Sequence, residues 1–298
     1  MNREHSKLDF LVVAAARGGT TWLYFCLKDH SQVCLSSKKE FVPFEANGDV
    51  REIALDAQFA DCDKPNALRG IMPVGISTRK DVSALVKKNF PNAKIIMCLR
   101  NPIERAYSQY KHYLAKGRLK GLTFSEVIRG AADVTSYGFY ADVVESYRRD
   151  MGADKVLIIL HDDMMRDHAG ALIKVQEFLG IELRESEYVD KFISVSRGGR
   201  KSYHSEFLLN LYNDLKWLSA KAKRVGGPWV GRVFKRMKLG RLLEYLYHLN
   251  FNKGVDQGVE DNIEKVTILP EDRTFLKKYY ADDMAKLSIL LGRDLDWS

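Results

Sequence analysis

Short apolar runs alternate with longer amphipathic segments through the first two-thirds of the chain. Four runs rich in Val, Ile and Leu read as strands, at 10–15, 70–76, 94–99 and 155–160. The segments at 20–29, 81–89, 102–115, 123–130, 138–150 and 169–179 carry apolar residues at helical spacing. Pro102 falls just after a strand, where proline suits the first turn of a helix, and Gly180 follows "ALIKVQEFL" as a helix stop. Strand and helix in alternation predict an α/β fold, with a parallel sheet flanked by helices. Residues 201–298 read as mostly helical, punctuated by Pro228 and Pro270. No internal repeat, low-complexity tract or long linker intervenes. The expectation is one domain over 1–298, with an α/β core in 1–200 and a helical portion in 201–298.

Composition narrows the class. The 298 residues are 46% hydrophobic and 29% charged, ordinary values for a globular protein with a sizeable core. No apolar run approaches the roughly 20 residues of a membrane span. The opening "MNREHSKLDF" lacks the apolar core of a secretion signal. Cys26, Cys34, Cys62 and Cys98 form no CxxC pair, and no histidine stands at ligand spacing. Together these predict reduced thiols, no metal site and a cytoplasmic protein. The net charge of +8 is local. Nine of the 47 basic residues lie within 215–243, a window without an acidic residue, leaving 38 against 39 acidic residues elsewhere. The excess is one patch rather than a property of the whole surface.

Candidate chemistry begins at "AAARGGTTWL", residues 14–23, a glycine pair between a strand and a helix. The phosphate loop of nucleoside triphosphatases is GxxxxGK[ST]. With its second glycine set on Gly19, Ala14 takes the place of the first and Thr20 the place of the lysine; Thr21 alone fits. The cation stands at Arg17, before the glycines. A helix starting near Thr20 offers backbone N–H groups and a positive dipole end, and Thr20 and Thr21 add hydroxyls. Such a loop can cradle a phosphate-like group but is poorly equipped for Mg²⁺–ATP. A plain glycine turn packing a helix on a sheet has the same appearance. "KIIMCLRNPIERAYSQYKHY" (94–113) adds a strand ending in Arg100 and a helix carrying Arg105 and Ser108. A metal-binding aspartate often ends this strand in phosphate-hydrolysing proteins. Arginine's planar fork instead suits a phosphate bidentately.

The pair "AAARGGTTWL" and "LRNPIERAYSQY" resembles the two cofactor motifs of the sulfotransferases that use 3′-phosphoadenosine 5′-phosphosulfate. "SSKKEF", "YGFYADVVESY", "VQEFLG" and a closing "LLGRDLDW" follow in the family's order, so the resemblance runs from about Leu8 to Trp297. It implies a P-loop-like sulfotransferase fold and transfer of a sulfuryl group to a hydroxyl or amine, with no metal required. The first loop (Arg17, Gly18, Gly19, Thr20, Thr21 and Trp22) then holds the 5′-phosphosulfate. Arg100 and Ser108, eight residues apart as in RxPxxRxxSxY, hold the 3′-phosphate. Most relatives carry a lysine at position 17. Arg17 is permanently charged and is assigned electrostatic stabilisation of the leaving phosphate.

The acceptor side matches the family less closely. A carboxylate or histidine is needed to take the acceptor's proton. "KKEFVPFE" resembles the KExHFF pattern of carbohydrate sulfotransferases at Lys39 and Glu40, with Val42 in place of the histidine. Glu40 is the candidate base and His112 the reserve; a plain ion pair with Lys38 or Lys39 is the competing role for Glu40. His161 reads as structural, and Ser77 alone matches the family's S/T-P-x-Y segment. In "SVSRGGRKSYHS", Arg200 and Lys201 resemble the late basic loop over the 3′-phosphate; a solvated loop is the alternative. The 215–243 patch, with Trp217, Trp229, Phe234 and Leu242, suits an acidic glycan, an anionic membrane surface or a solvated face. The acceptor implied is a carbohydrate or glycolipid, or alternatively a small-molecule metabolite. A nucleotide-dependent kinase fits less well, and no nucleic-acid signature accompanies the charge.

Overall fold

The computed structural model describes residues 8–76, 81–115, 118–119, 121–130, 132–186, 188–189 and 267–297. The chain divides into two compact units, one of 1–109, 128–198 and 270–298, the other of 110–127 and 199–269. Most of the second unit lies outside the described residues, as do Ser77, Arg200, Lys201 and the 215–243 patch.

The first unit is built on a five-stranded parallel sheet. Its strands are β1 (Phe10–Ala14), β2 (Val33–Leu35), β3 (Leu68–Ile71), β4 (Lys94–Leu99) and β5 (Val156–Leu160), in spatial order β2-β3-β1-β4-β5. β1 lies at the centre with Leu11 opposite Ile71 on one side and Ile95 on the other. Both faces of the sheet are covered, as parallel sheets require. Leu11, Val13, Ile95, Met97 and Leu99 pack on one face with α3 (Val82–Asn89) and α7 (Ala141–Met151). Phe10, Val12, Ile96 and Cys98 pack on the other with α1 (Thr20–Asp29) and α9 (His168–Leu179). The alternation of side chains along each strand sends successive residues to opposite cores.

The remaining described helices are α2 (Glu52–Ala57), α4 (Pro102–Ala115), α5 (Phe124–Gly130), α6 (Ala132–Thr135), α8 (His161–Arg166) and α10 (Pro270–Leu291). Two predicted elements change shape. The run 70–76 is a strand only over Leu68–Ile71, followed by a 3-10 turn at Val74–Ile76. Pro73 has no N–H to donate and cannot extend the ladder. The helix read at 138–150 begins at Ala141, after a 3-10 turn at Ser136–Gly138. The four cysteines are not all reduced. Cys34 and Cys62 are joined as a disulfide with Cα atoms 6.2 Å apart, while Cys26 and Cys98 are free and buried. Absence of CxxC spacing says nothing about pairs that the fold brings together across 28 residues.

α10 ties itself to α7 through specific polar contacts. Asp283 accepts from the backbone N–H groups of Tyr140 (2.8 Å) and Ala141 (3.0 Å) at the start of α7. Tyr280 is fully buried and donates to the Thr135 carbonyl at 2.8 Å. Burial raises the Asp283 carboxyl above the usual carboxylate range, opposed by the two N–H donors. Asp283→Ala should therefore lose about 1–2 kcal/mol of stability, as for other lost helix caps. Asp283→Asn keeps an acceptor without a buried charge and should lose less. Urea unfolding of the two variants checks the order; equal loss would show that the carboxylate does not act as a cap.

Candidate active site

The loop from β1 to α1 is pressed against the end of β4. The Ala15 N–H donates to the Cys98 carbonyl at 2.6 Å, and the Gly18 N–H returns to the Ala15 carbonyl at 2.9 Å. A Cβ on Gly18 would lie 2.4 Å from the Cys98 carbonyl oxygen, so no side chain fits there. Gly19 caps α1 at φ +96°, and its carbonyl accepts from Trp22 and Leu23 as the first turn closes. Arg17 also has positive φ, +73°. Thr20 is buried and Thr21 partly so, and both stand in the first turn. The helix thus presents its N-terminal N–H groups, hydroxyls and dipole to one spot.

The second cationic element reaches the same spot from β4 and α4. The Arg17 Nε donates to the Ser108 Oγ at 3.1 Å, across 91 residues of sequence. An Arg100 guanidinium nitrogen lies 3.4 Å from the Arg17 carbonyl oxygen. Burial lowers the Arg100 pKa, opposed chiefly by the Glu104 charge and then by Tyr140 and Asp162. No carboxylate of the described residues lies within ion-pair distance of it. Tyr140 donates its hydroxyl to the Arg100 carbonyl at 2.9 Å. Burial pushes this phenol up to about 12, so it remains a donor. Arg105 is fully buried and serves the scaffold: it donates to the Val134 carbonyl and lies 6.0 Å from the Tyr137 ring centroid.

β5 contributes the third wall. His161 and Asp162 follow it directly, and a Cβ on Gly19 would lie 3.7 Å from the His161 ring. Asp162 accepts from the Trp297 indole at 2.8 Å. Its carboxyl is held below the usual range, first by the adjacent His161 ring, whose Nδ1 lies 3.8 Å away, and then by Trp297 and the Arg100 charge. Lys39, from the turn after β2, places its Nζ 3.1 Å from Thr21 Oγ1 and 3.7 Å from Glu40 Oε1. All these groups gather beyond the carboxyl ends of β1, β4 and β5, where the strand order reverses about β1. That is the place where open α/β sheets bind ligands. Among the described residues, no cluster of three His, Cys, Asp or Glu side chains is placed to hold a metal.

This site sits within a stretch that known proteins share. Residues 7–197 match the sulfotransferase domain, well over half of the chain. The chain belongs to the sulfotransferase family. Over 195 residues, 58% of this chain and 46% of the relative, it is 26% identical to human heparan sulfate glucosamine 3-O-sulfotransferase 3B1. It is 30% identical over 134 residues, 42% of this chain and 28% of the relative, to the membrane-associated sulfotransferase kil1 of Dictyostelium discoideum. The chain thus spans less than half the length of these curated relatives. In three dimensions it resembles a sulfotransferase from Alicyclobacillus acidocaldarius with a TM-score of 0.64 at 20% identity, covering 98% of this chain and 99% of that one. That likeness concerns the fold.

In this chain, Arg17, Gly18, Gly19, Thr20, Thr21, Arg100 and Ser108 come together as one constellation. Glu40 stands beside it through Lys39, with 64% of its side chain exposed. Trp22 has its side chain in the core, fully buried, its indole donating to the Tyr188 carbonyl at 2.9 Å. His112 belongs to the second unit, where its ring lies 6.2 Å from that of Tyr113. Sequence reasoning noted Lys39 only beside Glu40 and missed its reach to Thr21, and it passed over Tyr140, Asp162 and the closeness of His161 to the loop. The signal available for the last two was their position just after a strand, the edge at which such sheets do chemistry.

Two outcomes follow from this packing. Gly18→Ala must push the loop off β4 and should cost about 1–3 kcal/mol, as for other overpacked sites, measurable by urea unfolding. Asp162 has a folded pKa below its unfolded one, so its stabilisation is present above about pH 4 and vanishes as the pH falls through the folded pKa. Asp162→Asn should therefore lower Tm at about pH 7 and converge on the parent as the pH falls through the folded pKa. A constant difference would mean that the carboxylate's charge is irrelevant.

Proposed function

We propose that this sulfotransferase moves a sulfuryl group from 3′-phosphoadenosine 5′-phosphosulfate to a carbohydrate hydroxyl or amine, of a glycan or glycolipid. One observation carries the donor assignment: the Arg17–Ser108 contact that joins two separate anion-binding elements into one site. A nucleotide carrying anionic groups at both its 5′ and 3′ positions fits that arrangement. The absence of room at Gly18 fits it too, because it holds the loop close against β4 and leaves the N-terminus of α1 open beyond it. When bound, the donor supplies an activated sulfuryl group attached through a phosphate oxygen.

The protein's share is positioning and charge. Thr20, Thr21 and the first N–H groups of α1 hold the 5′ group, with Gly18 and Gly19 shaping the approach. Arg17 stabilises negative charge as it collects on the leaving side. Arg100 and Ser108 hold the 3′-phosphate; Arg200 and Lys201, the further candidate contacts to it, lie outside the described residues. Tyr140 and Asp162 position Arg100, the first by its hydroxyl on the carbonyl and the second by charge. Glu40 takes the acceptor's proton; its exposure leaves it open to an incoming sugar.

The carbohydrate class is supported by relatives named for heparan sulfate, the 3-O-sulfotransferase above and the human bifunctional heparan sulfate N-deacetylase/N-sulfotransferase 2. The second is 27% identical over 205 residues, which is 58% of this chain and 22% of that protein. The exposed Glu40 turn and the basic 215–243 segment both suit a long acidic glycan, or a glycolipid at a membrane surface. Among the described residues no helix is long and apolar enough to cross a membrane.

Two variants and an acceptor panel test this. With the phosphosulfate donor, the protein should sulfate unsulfated or partly sulfated glycosaminoglycan chains in preference to simple phenols or alcohols. Arg100→Ala should weaken binding of 3′-phosphoadenosine 5′-phosphate by about tenfold or more, the value of a charge-assisted pair. Glu40→Gln should lower kcat about 100-fold or more with little change in donor affinity. Phenol sulfation alone would move the acceptor to small metabolites. Full turnover by Glu40→Gln would remove that residue from the base role.

A further inference from the structure

We propose that Lys39 is the working lysine of this site, the one whose ammonium contacts the 5′-phosphosulfate beside Thr21. The inference rests on the donor assignment above and adds to it a residue for which that assignment gives no role. Position 17 holds the loop's cation, but its guanidinium is turned toward α4, with Nε on Ser108 Oγ at 3.1 Å. Thr21, at the other side of the loop, is met instead by Lys39, whose Nζ lies 3.1 Å from its Oγ1. Lys39 arrives from the turn after β2, 18 residues away.

Its surroundings do not favour a cation for structural reasons alone. The Lys39 side chain is 25% exposed and Glu40 is 64% exposed. An ordinary surface pair would leave both groups in water, where it is worth little. Here the ammonium is drawn inward, and burial lowers its pKa. Glu40 on its own turn supports the charge; Arg17 from the β1–α1 loop opposes it. Cys98 of β4 also faces it, but burial pushes that thiol up to about 12, so it carries no counter-charge at neutral pH. The Lys39 ammonium and the Thr21 hydroxyl stand together at the positive end of α1, a place that disfavours a cation on its own and favours an anion beside it.

The chemistry gives the amine a use that Arg17 does not have. In the transfer, the acceptor oxygen or nitrogen forms its bond to sulfur. The bond from sulfur to the donor's phosphate oxygen breaks with its electron pair left on that oxygen, and the acceptor's proton goes to the base. An ammonium donating a hydrogen bond to that oxygen stabilises the pair as it arrives. Lysine is compact, with three rotatable donors, and readily shifts its pKa; the guanidinium is fixed in plane and stays charged. The lysine absent from the loop thus comes from a neighbouring turn.

The test compares Lys39→Met, which keeps the stem, and Lys39→Arg, which keeps the charge. Calorimetric titration uses 3′-phosphoadenosine 5′-phosphate and, as control, adenosine 3′-monophosphate, which lacks the 5′ group. Wild type should bind the bisphosphate with an affinity that falls as the pH rises toward the ordinary lysine range and Lys39, its pKa lowered by burial, loses its proton. Lys39→Met should bind it about tenfold or more weakly at neutral pH, with that dependence gone. Lys39→Arg should restore the affinity and hold it across the range, while turning over more slowly than wild type. The monophosphate should bind all three alike, and Tm should stay near that of wild type. Unchanged bisphosphate affinity in Lys39→Met, or an equal loss for both ligands, would overturn the role of Lys39 while leaving the donor assignment standing. No bisphosphate binding by wild type would sink both.

Discussion

Parallel pairing of β1 with β4 is the constraint from which the site follows. Those neighbours end side by side, so the loop after β1 and the arginine after β4 have to share one region of space. The contact is close: Ala15 donates to the Cys98 carbonyl, and Gly18 fits only because it has no side chain. Once the loop is laid against β4, Arg17 reaches Ser108 on α4, and Arg100 lies behind the Arg17 carbonyl. Burying the Arg100 guanidinium behind this loop is an electrostatic cost in the free protein, offset chiefly by the Glu104 charge and then by Tyr140 and Asp162.

The distal part of the fold serves the same region. Asp283 of α10 fixes the start of α7 through two backbone N–H groups, and Tyr140 at that start holds the Arg100 carbonyl. Trp297 sits edge-on to Tyr140 at 6.2 Å and donates to Asp162. The closing residues of the chain thus brace both supports of Arg100. This gives a physical role to the closing "LLGRDLDW" segment.

Much of this could be read from sequence, and the exceptions have physical causes. The strand 94–99 stands out as a short continuous apolar run, and the helices at 20–29 and 102–115 by apolar residues at helical spacing opened by Gly19 and Pro102. β2 is absent from the strands that the pattern predicts because three residues carry too little of it. α8, six residues rich in acid, has no apolar stripe to announce it. The loop and the Arg100–Ser108 pair were legible because each is contiguous. Lys39 was not, since its role depends on a side chain folding back across 18 residues to Thr21. Trp22 was misleading for the opposite reason: it adjoins the loop in sequence, yet its side chain points into the core. The Cys34–Cys62 bond likewise depends on tertiary proximity.

The central claim is that this loop holds a 3′,5′-bisphosphorylated adenosine rather than Mg²⁺–ATP. Thermal unfolding with each ligand in turn tests it most directly. A ligand that binds only the folded protein adds about 2.7 kcal/mol at 100 times its dissociation constant. The account predicts a clear rise in Tm with 3′-phosphoadenosine 5′-phosphate and little with Mg²⁺–ATP. A rise with Mg²⁺–ATP alone would contradict it and return the loop to the nucleotide kinases.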